Sequence, residues 1–290
     1  MNTSQASAST PDTAAADAYL REALHALPVC FDHCECGDHW HAVWAGLKAT
    51  GMQRTLHSQT DFLTALLKPY TVPGGLVMIA GAADTGSLEV LHTAIDDAGQ
   101  RYCVIDRCEA PLQLVRQRAA ELAMSLHARH GTLETVRAEQ PWDMVFIHYT
   151  LSFMDRAARL QFIHHLRQDL APRGVVVCAV RQTQPDAHST PAEQLRRWTQ
   201  TSAARLASTF AGHGELLARL QQWLPAYAQV RQQRQSRMPP LEQLLDEFLG
   251  AGFKLLESHL DPGQTPTGTT QAKGQDGATA WIHVLALDRD

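Results

Sequence analysis

Leu76–Ala80 (LVMIA) is an unbroken apolar run, followed at once by Gly81-Ala82-Ala83-Asp84-Thr85-Gly86 and then by a helix-forming stretch. Such a run suits a strand buried on both faces, as in the interior of a parallel sheet. A glycine-containing turn between that strand and a helix leaves the first N–H groups of the helix open to a ligand. Similar apolar runs recur at Arg101–Ile105, which leads into Asp106, at Asp143–Ile147 and at Val175–Val180. Helical periodicity fills the gaps over Ser87–Ala98, Pro111–Arg129 and Ala157–Asp169, with a weaker strand expected at Leu133–Arg137. Strands alternating with helices predict a doubly wound α/β sheet covered on both faces.

The alternation stops after Arg181. Residues 186–240 are polar and helix-like, with no strand signal. A helix at Leu241–Leu249 then leads into a strand at Phe253–Ser258. A Gly/Pro/Thr-rich loop over Asp261–Gly277 precedes a closing strand at Trp281–Leu287. Two strands joined without a helix form an antiparallel pair, here at the sheet edge. Residues 14–71 are helical in pattern, and residues 1–13 have the Ser/Thr/Ala/Asp composition of a disordered tail.

A net charge of -5 argues against a general nucleic-acid binder. No apolar stretch is long enough to span a membrane, and the first residues lack the form of a secretory signal. A cytoplasmic location, with the six cysteines reduced, is the resulting expectation.

The chemistry concentrates at the strand ends. Gly81, Ala82, Ala83, Asp84 and Gly86 form the turn after the first strand, and Asp106, followed by Arg107, closes the second. A carboxylate there can accept hydrogen bonds from both hydroxyls of a ribose. Gly81, Ala83 and Gly86 keep the dinucleotide spacing G-x-G-x-x-G except at its middle position, where Ala83 adds a methyl group beside any pyrophosphate. An NAD(P)-dependent oxidoreductase is therefore the second choice behind a nucleoside cofactor without pyrophosphate. A binding module without turnover is the third.

From residue 72 onward the chain resembles the class I S-adenosylmethionine-dependent methyltransferases. VMIAGAADTG is similar to their first motif, YCVIDRCEAP to their acidic second strand, and WDMVFIHYTLSFMD to their fourth strand and its loop. Leu170, Pro172 and Gly174 precede the fifth strand as in that family, and LLDEFLGAGFKLLESHL resembles its late helix–strand element. Ile79 and Ala83 depart from the family pattern. The resemblance implies a three-layer, mostly parallel sheet of seven strands with an antiparallel edge strand in residues 72–290, interrupted by a helical insertion at 186–240. It implies S-adenosylmethionine as cofactor, bound by Gly81, Ala82, Ala83, Asp84, Gly86, Asp106, Arg107 and His148.

In open α/β sheets the ligand lies beyond the carboxyl ends of the strands. The loop after the fourth strand, beginning His148-Tyr149, therefore faces the reacting methyl group. His148 is the candidate general base and Tyr149 a second catalytic candidate, while His148 also serves as a packing surface for the cofactor. The stretch 181–240 carries eight arginines, no lysine and three acidic residues. Arginine forks suit an acidic acceptor, although arginine is also an ordinary residue of a solvated helix. A small-molecule substrate is expected, acidic if those arginines face it. Finally, Cys30, His33, Cys34, Cys36, His39 and His41 crowd one segment. Their spacing is not a recurrent zinc-finger pattern. The reading adopted is a metal-free helical lid over residues 14–71, anchored by Trp40 and Trp44 and excluding water from the site.

Overall fold

The computed structural model describes residues 13–53, 55–95, 99–183, 190–261 and 278–288. The tail over residues 1–12 and the loop over 262–277 lie outside them. Seven strands form one sheet: β1 (Leu76–Ala80), β2 (Arg101–Asp106), β3 (Ser125–His130), β4 (Trp142–His148), β5 (Leu170–Thr183), β6 (Phe253–Leu260) and β7 (Ala278–Leu287). Their order is β3-β2-β1-β4-β5-β7-β6. β1 to β5 pair in parallel, and β7 runs antiparallel to both β5 and β6. The expected pair thus closes the edge, with the reversed strand one place inside it.

Period-two alternation divides the strands between two cores. Val77 and Ile79 of β1 face one cluster, completed by Leu88 and Leu91 of α4 (Gly86–Ile95), Val115 of α5 (Glu109–Glu121) and Leu67 of α3 (Thr60–Leu67). Met78 and Ala80 face the other, against Phe162 of α6 (Arg156–Asp169) and Phe248 of α9 (Leu241–Gly250). On that second face Arg159 and Glu247 form a buried two-pronged ion pair at 2.5 and 2.9 Å, joining α6 to α9.

A third cluster lies off the sheet. α1 (Thr13–His33) and α2 (Trp40–Ala49) pack with α7 (Pro191–Thr209) and α8 (Gly214–Arg237), through Leu27, Val43, Leu206, Phe210 and Leu220. The N-terminal helices and the insertion therefore share one apolar core. The start of α7 is fixed by a capping box, in which Thr190 and Glu193 satisfy each other's backbone N–H groups.

One expectation fails. The helix expected over Pro111–Arg129 stops at Glu121, and the third strand occupies Ser125–His130 rather than Leu133–Arg137. Ala123 takes the left-handed conformation (φ 53°) that ends the helix. That position usually carries glycine or asparagine, so the stop has no ordinary residue signature.

Candidate functional site

Strand order reverses between β1 and β4, and a crevice opens beyond the carboxyl ends at such a point. A cavity of about 720 Å³ lies there, within the size range of cofactor and substrate sites. Gly81, Ala82, Ala83, Asp84 and Gly86 line it, together with Asp106, Arg107, His148 and Tyr149. The residues picked out at three separate strand ends thus meet on one wall.

The turn after β1 is held from several sides. Gly81 has φ 78°, and a Cβ there would lie 2.7 Å from Thr150 Cγ2, so only glycine fits. Thr150 is itself anchored, its hydroxyl donating to the Ala80 carbonyl at 2.6 Å. Asp106 grips the turn directly: the Ala82 N–H donates to Oδ2 and the Cys108 N–H to Oδ1, both at 2.8 Å. The carboxylate therefore points toward the bend, and each oxygen keeps a further lone pair for a ligand. Burial raises the Asp106 pKa above its ordinary value, while the facing His41 ring and the two N–H donors oppose that rise.

Asp84 lines the cavity and is also tied to its neighbours. Its carboxylate accepts from Lys48 Nζ at 2.8 Å, from the Gly86 N–H at 2.8 Å and from Trp44 Nε1 at 3.4 Å. Burial opposes its ionisation, but the Lys48 ammonium outweighs burial and holds its pKa below the usual value. Lys48 also reaches Glu22 at 2.6 Å, so α1, α2 and the glycine turn share one ionic node. Asp84 braces the turn.

His148 ends β4. Burial pushes its pKa down to about 4, against the attraction of Asp261 and Asp84, so the ring is neutral at physiological pH. Its Nε2 is buried and has no hydrogen-bond partner among the described residues. An unsatisfied buried nitrogen in a cavity wall is what a ligand or proton donor would complete. Tyr149, also left-handed (φ 59°), donates its hydroxyl to Asp261 Oδ2.

The cap lines the same cavity. Tyr227 stacks between Trp40 (centroids 4.1 Å apart) and Trp198 (5.9 Å). The Arg234 guanidinium lies 4.5 Å from the Trp40 ring centre and donates to Ser152 Oγ at 2.8 Å. Burial lowers its pKa to about 9, which still leaves it charged at neutral pH. Arg231 lies over Trp198, and Arg181 and Arg197 line the same space. Sequence reading singled out the arginine-rich stretch, but not Arg197, Arg231 or Arg234 within it. Lys48 and Glu134, which also border the cavity, lay outside any motif.

No family model matches the chain, and no curated protein matches it. Solved structures do. An S-adenosylmethionine-dependent methyltransferase from Clostridium acetobutylicum aligns with a TM-score of 0.52 at 6% identity, covering 84% of this chain and 96% of that one. A SAM-dependent methyltransferase from Leishmania major aligns with a TM-score of 0.51 at 12% identity, covering 92% of this chain and 83% of that one. At such identities the likeness speaks to architecture, and together with the strand order it leads to one conclusion: the chain has the class I S-adenosylmethionine-dependent methyltransferase fold.

Proposed function

We propose that this protein transfers a methyl group from S-adenosylmethionine to a small anionic acceptor. The observation that carries the reading is that one cavity joins the Gly81 turn, Asp106 and His148 to a set of arginine and aromatic side chains. The residues present fit the cofactor: a turn too tight for a Cβ, a strand-end carboxylate with spare lone pairs, and an orphaned imidazole nitrogen. Bound S-adenosylmethionine supplies an electrophilic methyl group on a sulfonium.

The chain's own contributions follow from its geometry. Asp106 holds the ribose hydroxyls while keeping the turn closed, and Arg107 borders the same end. Trp40, Trp198 and Tyr227 offer flat apolar surfaces, and Arg231 and Arg234 provide positive charge for a carboxylate or phosphate on the acceptor. Much of the acceleration in an in-line displacement comes from holding the two reactants aligned. His148, neutral and unpartnered, takes the proton if the acceptor atom is a hydroxyl. The N-terminal helices and the insertion serve as a cap that excludes water. A nicotinamide dinucleotide is a poorer match, because the Ala83 methyl stands where pyrophosphate approaches the backbone.

Isothermal titration of the purified protein with S-adenosylmethionine and with NAD tests the reading. Binding of S-adenosylmethionine is expected, weakened by about 1–3 kcal/mol in Asp106→Ala through loss of charged hydrogen bonds. Binding of NAD alone, or unchanged affinity in the variant, would overturn the assignment.

A further inference from the structure

The loop between α1 and α2 and the first turn of α2 bring Cys34, Cys36 and His41 against Cys108, which lies two residues beyond Asp106. One potential ligand atom from each of the four lies within 4.8 Å of the others. The distances have a particular meaning. Zinc bonds of about 2.3 Å to sulfur and 2.0–2.1 Å to nitrogen, set at the corners of a tetrahedron, place two sulfurs about 3.8 Å apart and a sulfur and a nitrogen about 3.5 Å apart. Cys34 Sγ and Cys108 Sγ are 3.8 Å apart, and Cys34 Sγ and His41 Nδ1 are 3.4 Å apart. A disulfide would need its sulfurs at about 2.05 Å and would give His41 no part.

The surroundings suit thiolates. The Glu35 N–H points at Cys108 Sγ from 3.4 Å, and Cys108 occupies the N-cap position of α5, where the helix dipole favours negative charge. His41 and Cys108 are buried, and Cys34 and Cys36 are half-buried. Neither His33 nor His39 belongs to the group, and the His39 ring packs on Trp223 instead.

We propose that Cys34, Cys36, His41 and Cys108 bind one zinc ion, a structural site that clamps the N-terminal helices to the end of β2. Four protein ligands complete the tetrahedron and leave no position for a substrate. The clamp closes across a wide gap in sequence: three ligands come from the cap and the fourth from the strand end that carries Asp106. Zinc would thus fix the cap directly beside the ribose-binding carboxylate. Spacing along the chain cannot reveal the set, because its fourth member arrives only through the fold.

Protein expressed with zinc in the medium and purified without chelator should carry close to one zinc per chain by inductively coupled plasma mass spectrometry. Cys36→Ser and Cys108→Ser should each lose most of it, and His33→Asn should keep it. Because a ligand variant can fail by misfolding, the wild-type chain is also stripped with chelator under reducing conditions and titrated with Co²⁺. Intense visible bands of tetrahedral cobalt with thiolate charge transfer are the expected result. Wild-type protein that holds little zinc and gives no such bands, that holds iron instead, or that maps to a Cys34–Cys108 disulfide overturns the proposal. None of these readouts involves a methyl donor, so they stand apart from the catalytic reading.

Discussion

His148 carries the sharpest chemical expectation at the level of a single side chain. Its pKa near 4 means that the ring is deprotonated across the whole neutral range, so a base role predicts no acid limb in the rate between pH 6 and 8 from this group. His148→Asn should lower kcat by about 10²–10⁴-fold on a hydroxyl acceptor. A variant with full kcat would make His148 a packing residue only. Position along the chain was enough to set Gly81, Asp106 and His148 at the ends of β1, β2 and β4, where they line one cavity, because strand ends and tight turns have a residue signature. It was not enough for Asp84, whose bracing role depends on Lys48 arriving from α2. Nor did it reveal Arg234, one of several arginines on α8 until the fold sets it over Trp40.

Among the elements, α2 is buried along almost its whole length. Trp40, His41, Val43, Leu47 and Lys48 are all buried, an unusual mixture of apolar and charged groups on one short helix. Lys48 is tolerated because Glu22 and Asp84 both take its charge. Lys48→Met should cost about 2–4 kcal/mol in urea unfolding, since it leaves the half-buried Asp84 carboxylate without its cation. Adding Asp84→Asn to that variant should recover part of the loss. If Lys48→Met unfolds like the parent, the node contributes nothing to holding the cap. The helix–strand alternation that defines the sheet was legible because buried parallel strands are continuous apolar runs. The third strand was not: Ser125–His130 sits at the edge, half polar, and Ala123 ends the preceding helix without a glycine.

Across the whole molecule, acid should be destabilising well before the carboxylates titrate. His283 on β7 is buried, neither ring nitrogen has a hydrogen-bond partner among the described residues, and burial lowers its pKa to about 4, as it does for His148. The unfolded chain binds protons at both sites near pH 6.5 whereas the folded chain does not, so stability falls as pH drops from about 6.5 toward 4. Each histidine should account for on the order of 1–2 kcal/mol by pH 5. Comparing His283→Leu with the parent at pH 7 and pH 5 isolates one of them: the variant should lose less stability on acidification. Equal losses would mean that His283 titrates normally in the folded state.

The shared apolar core of the cap has a consequence for how the protein is made. Synthesis delivers α1 and α2 before the sheet, yet the helices that cover them, α7 and α8, emerge only after five of its strands. Until then Trp40 and Val43 lack their final neighbours, and a nascent chain halted before residue 190 would expose them. Such a chain is a ready client for a chaperone. Helices made after five strands of the sheet are the ones that seal helices made before it.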